Sequence, residues 1–410
     1  KNKEPPKSWR VIQDIKTAFF KDNADEIITT YIEQPIGIEP NFIREWIANN
    51  HDCEKVVAEV LENFANLLST KNISDVNVHV KLESLLKEET YFNWKQDKAR
   101  IIVWQRKFVA AMYSHIFMQA KDRLKFLLRP NIVYVDGLTP AEIANIVRKT
   151  KDVAGFWEND MAKQDRQTDD HIIDVEMKMY LTLGIQKDLI DIWCKIHGVW
   201  RFKGRHSWGY RYSMRQTGSA TTALGNVITS MQVHSRFFCL HKEILALLLL
   251  LGDDLAALLT KALTTTAEFI KESAVNFNME CKTRFNREFG NFISQLLYKI
   301  GDGAGFGPDI IRLKFRYEVS NGVSRTDENT IELRVMSYLM QLGATPEVLD
   351  VIKEKNYPIK PEHWYDWEPL KVASCKKYNI NENQYENYYR ALINYLREPK
   401  IIQKEFSVWT

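Results

Sequence analysis

Ile244-Leu245-Ala246-Leu247-Leu248-Leu249-Leu250-Leu251, then Gly252-Asp253-Asp254, then Leu255-Ala256-Ala257-Leu258-Leu259, is the stretch that decides the fold. An apolar run that breaks at a glycine and two carboxylates and then resumes is how a buried hairpin presents acids at its turn. On local propensity alone a Leu- and Ala-rich helix is favoured, because both residues are strong helix formers. The run is too short for a bilayer, which needs about 20 apolar residues. Two upstream signatures tip the reading to the hairpin. One is Asp160-Met161-Ala162-Lys163-Gln164-Asp165, and the other is Gly218-Ser219-Ala220-Thr221-Thr222-Ala223-Leu224-Gly225-Asn226.

The three signatures in this order fit one chemistry, extension of an RNA strand. Joining a 3′-hydroxyl to a nucleoside triphosphate gathers negative charge on the phosphates and needs a stronger nucleophile. Two Mg²⁺ ions meet both needs. Mg²⁺ takes hard oxygen ligands and only a few carboxylates, which separate segments must bring together on rigid strands. Asp160 and Asp253 are the candidate bridging ligands, with Asp254 beside them. Recognition of RNA needs a contact to the 2′-hydroxyl, which both donates and accepts. Asp165 is an acceptor and Asn226 offers both functions. Gly218 gives its loop freedom for tight or positive-φ geometry, and Thr222 lies four residues before Asn226 on one helix face. Singly, Asp165 reads as a cap before Thr168-Asp169-Asp170 and Asn226 as a surface amide; as a pair they point to ribose.

Composition and charge bound the rest. With 410 residues, 45% hydrophobic and 27% charged, the chain has the make-up of an ordinary globular protein of two or three subdomains. Cys53, Cys194, Cys239, Cys281 and Cys375 form no Cys-x-x-Cys pair, which argues against a zinc site and for a reducing compartment. The net charge of +3 hides an asymmetry. No acidic residue falls between Asp191 and Glu243, whereas Lys195, Arg201, Lys203, Arg205, Arg211, Arg215, Arg236 and Lys242 are basic. Trp200, Phe202, Trp208, Tyr210 and Tyr212 interleave with them, the combination used by grooves that track a nucleic-acid backbone. A second acid-free stretch runs from Lys98 to Lys121 and includes Arg100, Arg106 and Lys107. Arg201, Lys203, Arg205, Arg211 and Arg215 are the candidate RNA contacts.

These residues resemble the RNA-dependent RNA polymerases of the alphavirus-like supergroup of positive-strand RNA viruses, on its tobamovirus-like side. Arg215-Gln216-Thr217-Gly218-Ser219-Ala220-Thr221-Thr222, continuing to Gly225-Asn226, is similar to that group's motif B. Thr139-Pro140-Ala141-Glu142 leads through a helix to Asp160, and with Lys163 and Asp165 this resembles motif A. Gly252-Asp253-Asp254 is the GDD motif. Lys98-Ala99-Arg100-Ile101 is similar to motif F, so the resemblance implies that Lys98 and Arg100 cradle the triphosphate. Glu280-Cys281-Lys282 and Gly290-Asn291-Phe292 fall where motifs D and E belong, which makes Lys282 the candidate general acid for departing pyrophosphate. The likeness covers roughly residues 95 to 320. It departs at Thr217, where serine is usual, at Leu255, where serine is common, and in a motif E without its usual cysteine.

The resemblance implies a mixed α+β fold with right-hand architecture: fingers, an antiparallel-sheet palm and a helical thumb. The boundaries are residues 1–155 for the N-terminal region and fingers, 156–195 for palm with motif A, 196–217 for a fingers insertion, 218–300 for palm with motifs B to E, and 301–410 for thumb. Local signals agree. Asn131–Val135 reads as a strand, and Asp136-Gly137 as its turn. Thr139-Pro140-Ala141-Glu142 is a capping box opening a helix through Val147. Helices are expected at Thr222–Phe238, Thr330–Leu342, Pro346–Lys355 and Asn383–Leu396.

The implied activity is RNA-directed RNA synthesis with two Mg²⁺ ions, for which Mn²⁺ substitutes. The implied partners are an RNA template and product, nucleoside triphosphates, and a helicase and capping enzyme from the same polyprotein. The setting is the host cytoplasm, in a complex attached to membranes through other proteins; no transmembrane segment is read in this chain. The chain begins without Met, which is read as excision from a larger polyprotein. A reverse transcriptase, which would carry a bulky aromatic where Asp165 stands, and a polymerase-like scaffold without catalysis are the alternatives.

Overall fold

The structure is a computed structural model that describes residues 4–50, 73–80, 101–205, 207–264, 266–320 and 328–399, with 55, 58 and 60 as isolated positions. It is a mixed α+β fold. The described strands are β1 (Asp75–Val80), β2 (Ile101–Gln105), β3 (Ile132–Tyr134), β4 (Gly155–Met161), β5 (Val199–Lys203), β6 (Trp208–Tyr212), β7 (Leu245–Leu251), β8 (Asp254–Leu259), β9 (Cys281–Asn286), β10 (Phe289–Phe292), β11 (Gln295–Ile300) and β12 (Gly303–Gly307). They form a five-stranded sheet in the order β3-β7-β8-β4-β9, a four-stranded sheet β2-β1-β5-β6 and a three-stranded meander β10-β11-β12. In the five-stranded sheet only the β3–β7 pair is parallel.

The Leu-rich run is a strand despite its helix propensity, because both of its faces are covered. Leu248 and Leu250 pack with Leu255, Ala257, Leu259, Trp157 and Met161 in the core shared with helix Thr222–Leu240. Leu247 and Leu249 pack on the other face with Phe156, Ala256, Leu258, Ile143, Val147, Leu297 and Phe306. A strand buried on both faces reads as a continuous apolar run rather than an alternating one. Each leucine so buried contributes roughly 1.5–3 kcal/mol. Tertiary burial outweighs a propensity difference of well under about 1 kcal/mol per residue.

Other expected elements form close to their expected bounds. Helix Pro140–Lys149 opens with the capping box: Glu142 N donates to Thr139 Oγ1 at 3.2 Å and Thr139 N to Glu142 Oε2 at 2.7 Å. The helix after the glycine loop spans Thr222–Leu240, and the later ones span Glu328–Leu342, Pro346–Lys355 and Glu382–Arg397. These C-terminal helices have their own core, built on Leu339, Val348, Leu370, Tyr385 and Leu392. Strand β11 joins the two cores, because alternate side chains face opposite ways. Leu296 and Tyr298 enter the helical core, whereas Leu297 enters the core against the five-stranded sheet.

A buried ion pair locks the glycine loop to the preceding helix. Arg215 and Glu176, on helix Asp170–Thr182, are almost wholly buried, at 0% and 1% exposed. Arg215 Nη1 donates to Glu176 Oε1 at 3.2 Å and Nη2 to Oε2, while Nη2 also reaches Thr229 Oγ1 at 3.1 Å. The Tyr180 hydroxyl donates to Glu176 Oε1 at 2.6 Å. Arg215 is therefore not a cation facing solvent, and its expected place among the RNA contacts is corrected. The reason is that its acid lies 39 residues away, outside the acid-free stretch.

Gly225 exists for this pair. A Cβ there would fall well inside contact distance of Arg215 Nη1, and within 2.6 Å of Glu176 Oε1. Gly225→Ala should destabilise the protein by about 2 kcal/mol or more, because the buried pair must shift to admit a methyl group. Gly198→Ala is the control, since a Cβ there meets nothing within 4 Å. Urea unfolding of both variants checks this; equal midpoints would mean that the pair tolerates displacement.

Candidate active site

The acidic hairpin has the shortest possible connection. Leu251 pairs with Asp254, so Gly252 and Asp253 alone form the turn. Gly252 has φ +57°, the positive value that tight hairpin turns require and glycine adopts most easily. Asp253 is thereby held at the exposed tip. Strand β4 lies between β8 and β9, pairing Glu158 with Ala256 on one side and Asp160 with Lys282 on the other.

Alternation then sets the faces. Phe156, Ala256 and Leu258 share one core, so Glu158, Asp160 and Asp254 belong to the same face of the sheet. Lys282, directly opposite Asp160, shares that face and is exposed. Lys299 is committed elsewhere, donating to the Val153 carbonyl.

Electrostatics tie these carboxylates together. Asp254 keeps exposed surface but is crowded by protein atoms, and this crowding, with Asp253, Asp160 and Glu158 beside it, pushes its carboxyl up to about 6. Arg312 opposes the shift. Water reaches part of the group and screens these charges, so the direction matters more than any energy. Glu158 was not foreseen from sequence, although its position two residues before Asp160 on a strand was the available signal. Burial raises it, and Asn291, Arg284 and Lys377 lower it. Its Oε1 accepts from the Asn291 backbone N and from Asn291 Nδ2, the latter at 3.3 Å. Gly290 permits this, since a Cβ there would stand 2.8 Å from Phe156 Cβ.

These oxygens are the hard donors that Mg²⁺ takes, usually a few carboxylates completed by water and phosphate. Their mutual repulsion at Asp254 is what a divalent cation would relieve, so the donor set fits in kind. Among the described residues, no three His, Cys, Asp or Glu side chains form a ready-made cluster.

Asp165 and Asn226 also come together. Lys163, at φ +52°, turns the chain after β4 into the short helix Gln164–Gln167. Gln164 Nε2 then donates to the Asn226 carbonyl at 3.1 Å. Burial raises the Asp165 carboxyl, while Arg215 and a side-chain hydrogen bond from Asn226 lower it. Asp165 Oδ1 and Asn226 Oδ1 are both buried without a partner. That leaves two acceptors in one place, which is unusual for buried polar atoms.

The glycine loop is clamped by β2. Gly218 N donates to the Val103 carbonyl at 2.5 Å, Val103 N to Thr217 Oγ1 at 2.9 Å, and Gln105 Nε2 to Gln216 Oε1 at 2.8 Å. Gly218 is not among the positive-φ glycines, so close approach replaces the expected conformational freedom. A Cβ there would lie 2.5 Å from the Val103 carbonyl oxygen. Thr222 starts the helix, and its hydroxyl holds the loop by donating to the Gln216 carbonyl at 3.0 Å. Lys98 and Arg100, immediately before β2, lie outside the described residues.

The remaining basic candidates lie on the hairpin of β5 and β6. Lys203, Arg205 and Arg211 are exposed, as are Trp208, Tyr210 and Tyr212, whereas Trp200 is buried. Arg211 stacks over Phe202 at 5.0 Å. Arg201 is exposed but paired with Asp75 of β1.

A family model described as RNA dependent RNA polymerase matches residues 3–339. The replicase polyprotein 1ab of Beet yellows virus (isolate Ukraine) is 23% identical over 358 residues, covering 85% of this chain and 11% of that protein. The RNA-directed RNA polymerase 2a of Tobacco streak virus (strain WC) is 27% identical over 191 residues, 46% of this chain and 24% of the relative. That of Alfalfa mosaic virus is 25% identical over 236 residues, 56% and 29%. The chain thus spans about a tenth of the replicase polyprotein it matches.

The raised Asp254 carboxyl predicts a pH-dependent stability. The unfolded chain releases this proton more readily, so the native state loses stability as pH rises from the ordinary carboxylate range through about 6. In metal-free buffer Asp254→Asn should therefore raise the melting temperature at pH 7.5, with the gain shrinking towards zero at pH 4. A gain independent of pH would contradict the shift.

Proposed function

This chain belongs to the viral RNA-dependent RNA polymerase family, in the alphavirus-like supergroup, and from that membership we propose that the acidic end of its five-stranded sheet is where nucleotides are joined. The observation that carries this reading is the meeting of Asp160, Asp253 and Asp254 from two strand segments, close enough for their charges to act on one another. When bound, two Mg²⁺ ions, or Mn²⁺ in their place, supply the acidity that activates the 3′-hydroxyl and offsets triphosphate charge. Asp160, Asp253 and Asp254 would hold them.

The chain's own residues do the rest. Asp165 and Asn226 orient the incoming ribose, and their unpartnered oxygens suit a donated 2′-hydroxyl proton. Gly218 and Thr222 keep the loop beneath the nucleotide in one shape. Lys282, across from Asp160, delivers a proton to the leaving pyrophosphate, a role typically worth about 10²–10⁴-fold. Lys98 and Arg100 meet the triphosphate. Lys203, Arg205 and Arg211, with Arg201, track the RNA backbone beside Trp208, Tyr210 and Tyr212, which offer stacking faces.

In this reading the five-stranded sheet is the palm, the sheet of β1, β2, β5 and β6 belongs to the fingers, and the C-terminal helices form the thumb. The natural template is a positive-strand viral genome, and other replicase parts, a helicase and a capping enzyme, are the partners. Among the described residues no helix is long and apolar enough to cross a membrane. The assembly works in the host cytoplasm, on membranes reached through other proteins.

Asp160→Ala and Asp253→Ala should each abolish nucleotide addition while leaving RNA affinity nearly intact, as read by primer extension and filter binding. Substantial synthesis by either variant at saturating Mg²⁺ would remove that carboxylate from the site.

Sugar choice gives an independent check. Asn226→Ala should reduce ribonucleotide use far more than deoxynucleotide use, so discrimination falls roughly tenfold, as expected for a lost buried hydrogen bond. Single-nucleotide addition with matched ribo- and deoxynucleotides measures it. Equal losses would mean that Asn226 only supports the helix.

A further inference from the structure

We propose that the open face of the four-stranded sheet is a stacking platform that binds unpaired RNA of any sequence and discriminates against duplex. This rests on the reading of the β5–β6 hairpin as an RNA contact and names the kind of RNA it takes. The register of the sheet builds the platform. Trp208 of β6 pairs with Lys203 of β5, Lys203 with Asn77 of β1, and Asn77 with Trp104 of β2. One row of side chains therefore crosses all four strands with an indole at each end. Alternation puts Tyr210 and Tyr212 on the same face as Trp208. Val76, Val103 and Trp200 point the other way and form the sheet's own small core. On the open face Trp208 is 76% exposed, Tyr212 71%, Tyr210 52% and Trp104 40%. Large rings gathered on one wetted face mark a surface that a partner covers.

The charge around the rings selects that partner. The single acid at these strand positions, Asp75, is taken by Arg201, whose Nε donates to Asp75 Oδ1 at 3.1 Å and whose Nη2 reaches Oδ2. Lys203 is exposed and makes no ion pair among the described residues. Its stretch of chain holds no acid between Asp191 and Glu243. Ring faces beside an unneutralised cation suit a base next to its phosphate, and every base has a π-face. A duplex keeps its base faces inside the helix, so it can meet the cation but not the rings.

Dimensions and position agree with a short single strand. Three inter-strand intervals of roughly 4.8 Å span about 14 Å from β6 to β2, room for about three stacked bases. At β2 the face abuts the glycine loop, because Trp104 bridges to Gly218. His79 meets the Trp104 ring edge to face at 5.9 Å and braces it there. A strand lying across the sheet thus ends beside the loop that leads to Thr222 and Asn226.

Fluorescence anisotropy of labelled RNA octamers with the whole chain in EDTA tests the proposal. Trp208→Ala should weaken oligoadenylate and oligouridylate alike, by at least about fivefold, and leave a duplex of equal length unchanged. Tyr212→Ala should do the same, and Trp208→Phe should recover most of the loss. Lys203→Gln should instead weaken single strand and duplex together and flatten the salt dependence by about 0.7 in logarithmic slope. Asp253→Ala should bind as the parent does, which separates the platform from the acidic hairpin. On a primed template, affinity that climbs with 5′ overhang length, a climb lost in Trp208→Ala, assigns the bound strand to the template. A flat dependence, with octamer binding still lost in Trp208→Ala, assigns it to a separate single strand. Equal losses for single strand and duplex in Trp208→Ala would overturn the proposal. Full affinity in both aromatic variants would overturn it too, and would leave the face to a protein. If Lys203→Gln alone weakened binding, the hairpin's contact with the RNA backbone would survive that failure; no effect from any of these variants would remove both.

Discussion

The Arg215–Glu176 ion pair is the contact on which the arrangement of the candidate site depends. It joins the helix that follows Asp165 to the loop that opens helix Thr222–Leu240, and the Arg215 charge offsets part of the rise that burial imposes on the Asp165 carboxyl. Burying two charges costs several kcal/mol each, and their attraction offsets that only when the remaining hydrogen bonds are made. Tyr180 and Thr229 supply two of those bonds, and Arg215 Nε stays buried without a partner. Such a pair adds little net stability, but removing one partner typically costs about 3–5 kcal/mol. Its value here is placement: with Gly225 against it and Gly218 against β2, Asn226 is fixed beside Asp165.

Placement of the carboxylates follows from a different constraint, the double burial of β7 and β8. Apolar side chains on both faces leave the hairpin no freedom to slip, because a one-residue shift would send Asp254 to the opposite face. The meander of β10 to β12 then closes over the Glu158 face and joins it to the helical core through β11. Glu158 is thereby both a fastener for Asn291 and a negative charge felt at Asp254.

Much of this was legible in the sequence, for identifiable reasons. The capping box at Thr139 and the long helix at Thr222 are local signals, whereas the hairpin at Gly252 is read against local propensity from the two upstream signatures, and each formed where expected. What escaped depends on residues distant in the chain. Arg215 sits in an acid-free stretch and looks like a surface cation until Glu176 is folded against it. Gly218 looks like a flexible loop residue, yet its constraint is the Val103 carbonyl of another strand. Glu158 was overlooked because alternation matters only once β4 is known to be a strand with that face half covered.

The most direct measurement replaces Mg²⁺ with Fe²⁺ and maps where the bound ion cuts the chain when ascorbate and peroxide are added. Hydroxyl radicals act close to their source, so the cuts report which backbone surrounds the ion. Cleavage is expected beside Asp160 and at residues 252–254, suppressed by excess Mg²⁺ and lost in Asp253→Ala. Cleavage confined to other segments, or cuts at these positions that Mg²⁺ does not suppress, would contradict it.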